Sequence, residues 1–252
     1  MSGTLFLVPN ALDVGTGEAA ADLGDRLPLG TLRVAARLGH WVCENAKTTR
    51  AFLKRVDAVC PLAQPIQALT IVELPRPPKG RAAAAHADLA SLLAPALAGH
   101  DVGLISEAGL PALADPGAQL VAAAHALRIP VVALSGPSSI TLAIAASGLN
   151  GQSFVFHGYL ETDAGARRAR LRELEAASRR LLQTQVFIET PYRNQAMLEA
   201  ALDALQPATR LAISCGLTLP EGWSVTRTIG EWKAARTALP DRVPAVFSVL
   251  AG

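Results

Sequence analysis

Short apolar runs alternate with stretches of helical period along this chain, and that alternation constrains its fold more than any other feature. Leu5–Val8, Trp41–Glu44, Val102–Ile105 and Val131–Leu134 read as buried strands. Thr31–Leu38, Ala46–Val56, Ala82–Leu97, Pro116–Leu127 and Ser138–Ala146 read as helices, the last capped by serine. Strands separated by helices pair in parallel through crossovers, which place helices on the sheet faces. Pro75–Gly80 predicts a loop or edge, because proline continues neither a ladder nor a helix.

The run Ser147-Gly148-Leu149-Asn150-Gly151 interrupts the pattern and predicts a domain boundary. Two α/β domains are expected, 1–149 with a wound, mostly parallel sheet and 150–252 with a mixed sheet. The second holds strands at Phe154–Phe156, Gln185–Glu189, Leu211–Ser214, Ser224–Thr228 and Ala245–Leu250. Its helices are the charged Ala164–Arg180, Asn194–Leu205 and a short one near Glu231–Ala235.

Composition narrows the function. A chain of 252 residues, half of them hydrophobic, is long enough for two cores and excludes disorder. Lys and Arg number 23 against 21 Asp and Glu, which excludes a uniformly basic nucleic-acid coat and leaves room for a local basic groove. Only 4% of residues are aromatic, which argues against recognition of single strands by base stacking. No apolar run reaches the roughly 18 residues that span a bilayer, and no basic segment precedes Leu5–Val8, so a soluble, cytoplasmic protein is expected. Cys43, Cys60 and Cys215 are odd in number and lack a C-x-x-C pair, which predicts neither disulfides nor a metal site.

Ligands of wound sheets bind at the carboxyl ends of strands. Two loops there stand out. Ser106-Glu107-Ala108-Gly109-Leu110-Pro111, continued by Asp115-Pro116-Gly117, combines glycines, prolines and carboxylates. It reads as a close-approach ligand loop, or as a plain turn with an acidic cap. Ser135-Gly136-Pro137-Ser138-Ser139-Ile140 opens a helix whose first N–H groups can hold a carboxylate, or it is a plain N-cap. In the second domain Glu189-Thr190-Pro191-Tyr192-Arg193 reads as a substrate wall or as a solvated ion pair. His157 reads as a bonded structural group. P-loop, G-x-G-x-x-G, H-E-x-x-H and G-x-S-x-G motifs are absent from the sequence.

Taken in order, four segments resemble the tetrapyrrole methylase superfamily of S-adenosylmethionine-dependent methyltransferases. Within it they resemble most the ribosomal RNA small-subunit methyltransferase I family, which methylates a ribose 2′-hydroxyl. Glu44-Asn45-Ala46-Lys47-Thr48-Thr49-Arg50 resembles a Glu-Asp-Thr-Arg helix start. Ser106–Pro111 with Asp115-Pro116-Gly117 resembles Ser-Asp-Ala-Gly-Thr-Pro…Asp-Pro-Gly. Gly136-Pro137-Ser138 and Ser147-Gly148-Leu149, then Phe154–Gly158, resemble Gly-Pro-Ser…Ser-Gly-Leu and a following Phe-x-Phe-x-Gly strand. Glu189-x-Pro191-x-Arg193 resembles Glu-x-Pro-His-Arg, with Tyr192 in place of His. Val8-Pro9-Asn10-Ala11-Leu12 keeps the family's first-loop proline and lacks its glycine.

The resemblance implies S-adenosylmethionine as cofactor, in a cleft between the domains. Pro9, Glu107, Gly109, Leu110, Ser138, Ser139, Ile140, Thr190, Leu217 and Pro244 would bind it. Glu44 and Glu107 are the candidate bases for a hydroxyl acceptor, while Tyr192 and Arg193 would orient the substrate. The expected partners are ribosomal RNA or the small ribosomal subunit, and a second copy of the chain in a homodimer. Arg167, Arg168, Arg170, Arg172, Arg179 and Arg180 form either an RNA-facing stripe or a solvated helix face balanced by Glu173 and Glu175. Two other readings keep the cofactor: methylation of a small tetrapyrrole-type molecule, and a module that binds the cofactor without catalysis.

Overall fold

The computed structural model describes residues 2–13, 22–75 and 89–252. They form two units, Met1–Pro137 and Ser138–Gly252.

The first unit runs β1 (Leu5–Val8), α1 (Leu29–Arg37), β2 (His40–Cys43), α2 (Ala46–Val59), β3 (Thr70–Glu73), α3 (Leu89–Leu92), α4 (Ala94–Leu97), β4 (Val102–Ile105), α5 (Ala118–Ala126) and β5 (Val131–Ala133). Its strands lie in the order β3-β2-β4-β1-β5 and every pairing is parallel. Alternate side chains serve opposite faces, as the pleat requires. Phe6, Val8, Trp41, Cys43 and Ile105 join the core that includes Leu32 and Ala35 of α1 and Phe52, Leu53 and Val56 of α2. Leu5, Val42, Val102 and Leu104 join the opposite core, with Leu120 and Ala124 of α5. Burial on both faces explains the continuous apolar runs that mark these strands in the sequence.

The second unit runs α6 (Ser139–Ser147), β6 (Phe154–Tyr159), α7 (Ala164–Leu181), β7 (Thr184–Glu189), α8 (Asn194–Ala204), β8 (Arg210–Cys215), β9 (Trp223–Thr228), α9 (Ile229–Ala235) and β10 (Ala245–Leu250). Its order is β6-β7-β10-β8-β9, with β6 and β7 parallel and the other pairs antiparallel. One face carries the main core, where Phe187 and Phe247 stack with ring centroids 5.6 Å apart. On the other face Ile140, Ala143 and Ile144 of α6 pack against Val186 and Val246.

That last contact moves the division of the chain. It falls between Pro137 and Ser138, earlier than the 149/150 boundary read from the Ser/Gly run, because the apolar residues of α6 cover the second sheet. Other elements shift for local reasons. Residues 82–88 of the long helix read at Ala82–Leu97 lie outside the described residues, as do 76–80 of the proline-rich loop. The rest of that helix is broken into α3 and α4, since Pro95 has no N–H to continue a helix and is tolerated only in a first turn. Strand β3 escapes the sequence reading. It is an edge strand whose apolar pair, Ile71 and Val72, is partly exposed and shows no long run or alternation. Helix α5 starts at Ala118, after Gly117, and not at Pro116. Ser138 occupies the cap position of α6, yet its side chain makes no cap bond.

Candidate active site

Strands β1, β2 and β4 are parallel neighbours, so the residues that follow them emerge along one edge of the first sheet. After β1 come Pro9 and Asn10, after β2 Glu44, and after β4 the segment Ser106–Gly109. The first and third loops are sewn together. Asn10 N donates to Gly109 O at 2.8 Å, and Gly109 N donates back to Asn10 O at 3.1 Å. Gly109 makes this closure with φ of 69°, a backbone region that side chains disfavour. Asn10 Nδ2 also donates to Ser106 O at 3.2 Å and to Glu107 O at 3.0 Å. The loop after β5 approaches as closely: a Cβ on Gly136 would lie 2.3 Å from Pro9 Cγ, so only glycine fits.

These contacts bring the two candidate bases together. Glu107 N donates to Glu44 Oε1 at 3.3 Å. Thr48 Oγ1 donates to Glu107 Oε1 at 2.6 Å. Thr48 Oγ1 also lies 3.0 Å from Asn45 O, but its one proton favours the shorter, charge-assisted contact. Asn45 sets this geometry by capping α2: its Oδ1 accepts from Lys47 N at 2.9 Å and from Thr48 N at 3.4 Å. Glu107 is therefore held at its amide, its carbonyl and one carboxylate oxygen. Among the described residues no cation lies within ion-pair distance of it, and Oε2 has no hydrogen-bond partner.

Asp115 stands behind this centre. Burial pushes its carboxyl above the usual carboxylate range, the Ser106 hydroxyl pulls it back, and the negative charge of Glu107 pushes it up again. Leu110 lines an apolar hollow of about 350 Å³ with Leu7, Pro111, Ala112, Leu113, Ala118, Val121 and Ala133. Among the described residues no three His, Cys, Asp or Glu side chains gather as metal ligands. The buried thiols are quiet; burial pushes Cys215 up to about 11 and raises Cys43.

In the second unit Thr190, Leu217 and Pro244 meet at one end of the sheet. Ala245 of β10 is in register with Glu189 of β7 and Cys215 of β8, so Thr190, Pro244 and Gly216 are neighbours in the connecting turns. Gly216 N donates to Pro244 O at 2.9 Å, and Leu217 packs against the cluster of Ile140 and Val186. Ile140 is thus a core residue of the second unit, beside the partly buried Ser139 at the start of α6.

The Glu189–Arg193 segment holds an ion pair, but one largely withdrawn from solvent: Arg193 pairs with Glu189 at 2.9 Å, with side chains only 20% and 2% exposed. Glu189 Oε1 accepts from Thr190 N at 2.7 Å and from Thr190 Oγ1 at 3.1 Å. Arg193 is thereby committed to its own helix start, whereas Tyr192 projects into solvent at 78% exposure. His157 is bonded, with Nε2 2.8 Å from Gln185 Oε1 and Nδ1 3.4 Å from Arg170.

The arginines of α7 are partly spent as well. Arg168 pairs with Asp203 at 3.2 Å, Arg170 pairs with Glu173 at 3.0 Å, and Arg167 is buried with a bond to Thr162 O. Glu175 does not balance them as the sequence suggested. It turns inward and accepts from Gln206 N and the Thr209 hydroxyl.

Sequence reasoning missed Asn10 and Thr48 as site residues, and treated Ser106 and Asp115 only as parts of a motif. A signal for Thr48 was present, since it follows Glu44 by four positions at a capped helix start. Asn10 carried none, because its role is a contact between loops 96 and 97 residues apart.

Residues 26–232 match the tetrapyrrole (corrin/porphyrin) methylases. Among curated relatives, the ribosomal RNA small subunit methyltransferase I of Pseudomonas aeruginosa is 41% identical over 105 residues, 42% of this chain and 35% of that one. The protein of the same name from Mycobacterium tuberculosis is 42% identical over 120 residues, 48% of this chain and 41% of its own. That of Streptococcus pyogenes is 32% identical over 195 residues, 76% of this chain and 57% of its own. The matched stretches therefore span about half the length of these relatives, or less. A solved uroporphyrin-III C-methyltransferase from Thermus thermophilus superposes with a TM-score of 0.53 at 20% identity, over 99% of this chain and 93% of that one. An enzyme of the same name and organism, complexed with S-adenyl homocysteine, superposes with a TM-score of 0.53 at 17% identity, over 97% of each chain. At these identities the likeness is one of fold. Among the described residues no helix is long and apolar enough to cross a membrane.

Proposed function

The chain belongs to the tetrapyrrole (corrin/porphyrin) methylase family, and on that premise we propose that it methylates a ribose 2′-hydroxyl of ribosomal RNA with S-adenosylmethionine. The observation that carries the chemistry is Glu107, a carboxylate fixed at a strand end with one oxygen on Thr48 and, among the described residues, no cation in ion-pair contact with it. The shared name of the curated relatives supports the acceptor.

The residues present suit the cofactor. Ser138 leaves the first N–H groups of α6 without a side-chain cap, and such groups suit a carboxylate. The Asn10–Gly109 closure offers close backbone approach, and Leu110 offers an apolar wall. Pro9, Glu107, Gly109, Leu110, Ser138, Ser139, Ile140, Thr190, Leu217 and Pro244 are the residues we assign to cofactor binding. S-adenosylmethionine supplies an electrophilic methyl group on a sulfonium. The work left to the protein is alignment, exclusion of water and removal of the hydroxyl proton. Glu107 Oε2 takes that proton, Thr48 and Glu44 keep the carboxylate in place, and Tyr192 faces the substrate. A cytoplasmic site of action and a homodimer belong to the same proposal.

The test is incubation of the full chain with radiolabelled S-adenosylmethionine and a lysate from a strain that lacks the protein. Label in small-subunit ribosomal RNA, recovered as a 2′-O-methyl nucleoside, is the expected result. Label confined to small molecules would replace the RNA acceptor with a tetrapyrrole-type one. Calorimetric binding without any transfer would leave a cofactor-binding module, and no binding at millimolar cofactor would end all three readings.

A further inference from the structure

Helix α2 has two faces of opposite character. Thr49, Phe52, Leu53 and Val56 are buried and recur at helical spacing. Lys47, Arg50 and Lys54 recur at i, i+3 and i+7 and are all exposed. At 3.6 residues per turn these three cations fall within an arc of about 60° on the side away from the core. Among the described residues none of them enters an ion pair. Arg50 only donates to the carbonyl of Ala46 at 3.2 Å. The nearby acids are otherwise engaged: Glu73 accepts from Ala46 N, Asp57 accepts from Leu62 N, and Asp13 pairs with Arg55 on a different side of the helix.

The stripe begins at the candidate centre. Helix α2 opens two residues after Glu44, and Thr48 of its first turn holds Glu107. Lys54 lies about 10 Å further along the helix axis, at 1.5 Å per residue. We infer that this face of α2 is the track along which the phosphate backbone of the RNA acceptor reaches Glu107. The inference rests on the reading of the chain as an RNA methyltransferase. Cations spaced in a line suit a polymer with repeating anionic groups. The exposed position between them is Ala51, and Asp57 and Ala58 follow, so the stripe offers no ring to stack on bases and reads backbone.

The arginines of α7 are less available for this task. Three of the six are paired or buried.

The test compares two charge reversals in the full chain, K47E/R50E/K54E on α2 and R172E/R179E/R180E on α7. The readouts are KM and kcat for ribosomal RNA from a strain lacking the protein, cofactor affinity by calorimetry, and the salt dependence of RNA binding. The α2 reversal is expected to raise KM for RNA at least tenfold with cofactor affinity unchanged. It should also flatten the slope of log K against log salt by about 2, at about 0.7 per lost single-strand phosphate contact. The α7 reversal should move KM less than threefold. An unchanged KM and slope in the α2 variant, or a larger effect on α7, would overturn the proposal. The single variants K47A and K54A, each expected to raise KM two- to fourfold, decide the matter if the triple reversal fails to fold. Should the wild-type chain label no RNA, the proposed function fails by itself, and filter binding of the same RNA by wild type and variant still decides whether α2 is the track.

Discussion

Both units place a glutamate at the end of a strand, and they treat it oppositely. In the first unit Glu107 follows β4 and is held by neutral donors: the Thr48 hydroxyl at 2.6 Å on one oxygen, and Asn10 on its carbonyl. In the second unit Glu189 ends β7 and is neutralised. Arg193 pairs with it at 2.9 Å, while Thr190 supplies two donors to its other oxygen. A carboxylate with an oxygen to spare and no cation beside it among the described residues stays open to a further donor, whereas one paired with a guanidinium is spent on ordering the chain. On the proposed function, the same residue type serves chemistry in one unit and architecture in the other.

The sharpest way to break this comparison is to remove each charge in turn. Glu107→Gln is expected to lower kcat by about 100-fold or more, the usual contribution of a general base, and to weaken cofactor binding far less. Steady-state kinetics beside calorimetry reads both, and a kcat within threefold of wild type would strip Glu107 of its role. Glu189→Gln should do the reverse. It leaves the Arg193 guanidinium poorly compensated and should cost roughly 3 kcal/mol of stability in denaturant unfolding. Its effect on kcat at a temperature where the variant is folded should be below about fivefold, a small fraction of the factor assigned to a base.

A finer test separates a held carboxylate from a merely nearby one. Thr48→Val removes a hydrogen bond to a charged group, worth about 1.5–3 kcal/mol, and should lower kcat about tenfold. Thr48→Ser keeps the hydroxyl and should restore the rate. A purely structural threonine would shift the thermal midpoint and leave kcat in place.

The smallest effect concerns Asp115. Burial and the charge of Glu107 raise its carboxyl. Between the ordinary aspartate value and the raised one, the folded chain binds a proton that the unfolded chain does not. Stability therefore falls as pH rises through that window. Asp115→Asn removes the cost and should raise the thermal midpoint at pH 7 by about 2 °C, with no gain once the solution is acid enough to protonate Asp115 in both states. A midpoint that drops at pH 7 would mean that the Ser106–Asp115 contact outweighs burial.

Much of the architecture was legible in the chain itself, for an identifiable reason. Strands buried on both faces need unbroken apolar runs, so β1, β2 and β4 announced themselves within a residue of their ends. Helix α2 was legible because its buried and exposed positions segregate at a period of 3.6. Strand β3 was not, because an edge strand with partly exposed side chains needs no such run. The unit to which α6 belongs was not legible either. Its Ser-Ile-Thr-Leu-Ala-Ile-Ala-Ala-Ser sequence has apolar residues around most of its circumference and suits either sheet, and only the fit of Ile140, Ala143 and Ile144 against Val186 and Val246 settles the matter.

For the site, local sequence determined which loops are candidates for chemistry, since glycine, proline and carboxylate spacing is a property of the chain. It thereby supplied Glu44, Glu107 and Gly109 as candidates. Only the tertiary structure decided what those groups can do. It closed Asn10 on Gly109, aimed Thr48 at Glu107, and withdrew Arg193 into a pair with Glu189. The reason is that acidity and availability depend on partners brought together across the fold. Thr48 and Glu107 stand 59 positions apart in the chain, and Asn10 and Glu107 stand 97 apart, so neither contact leaves a local trace.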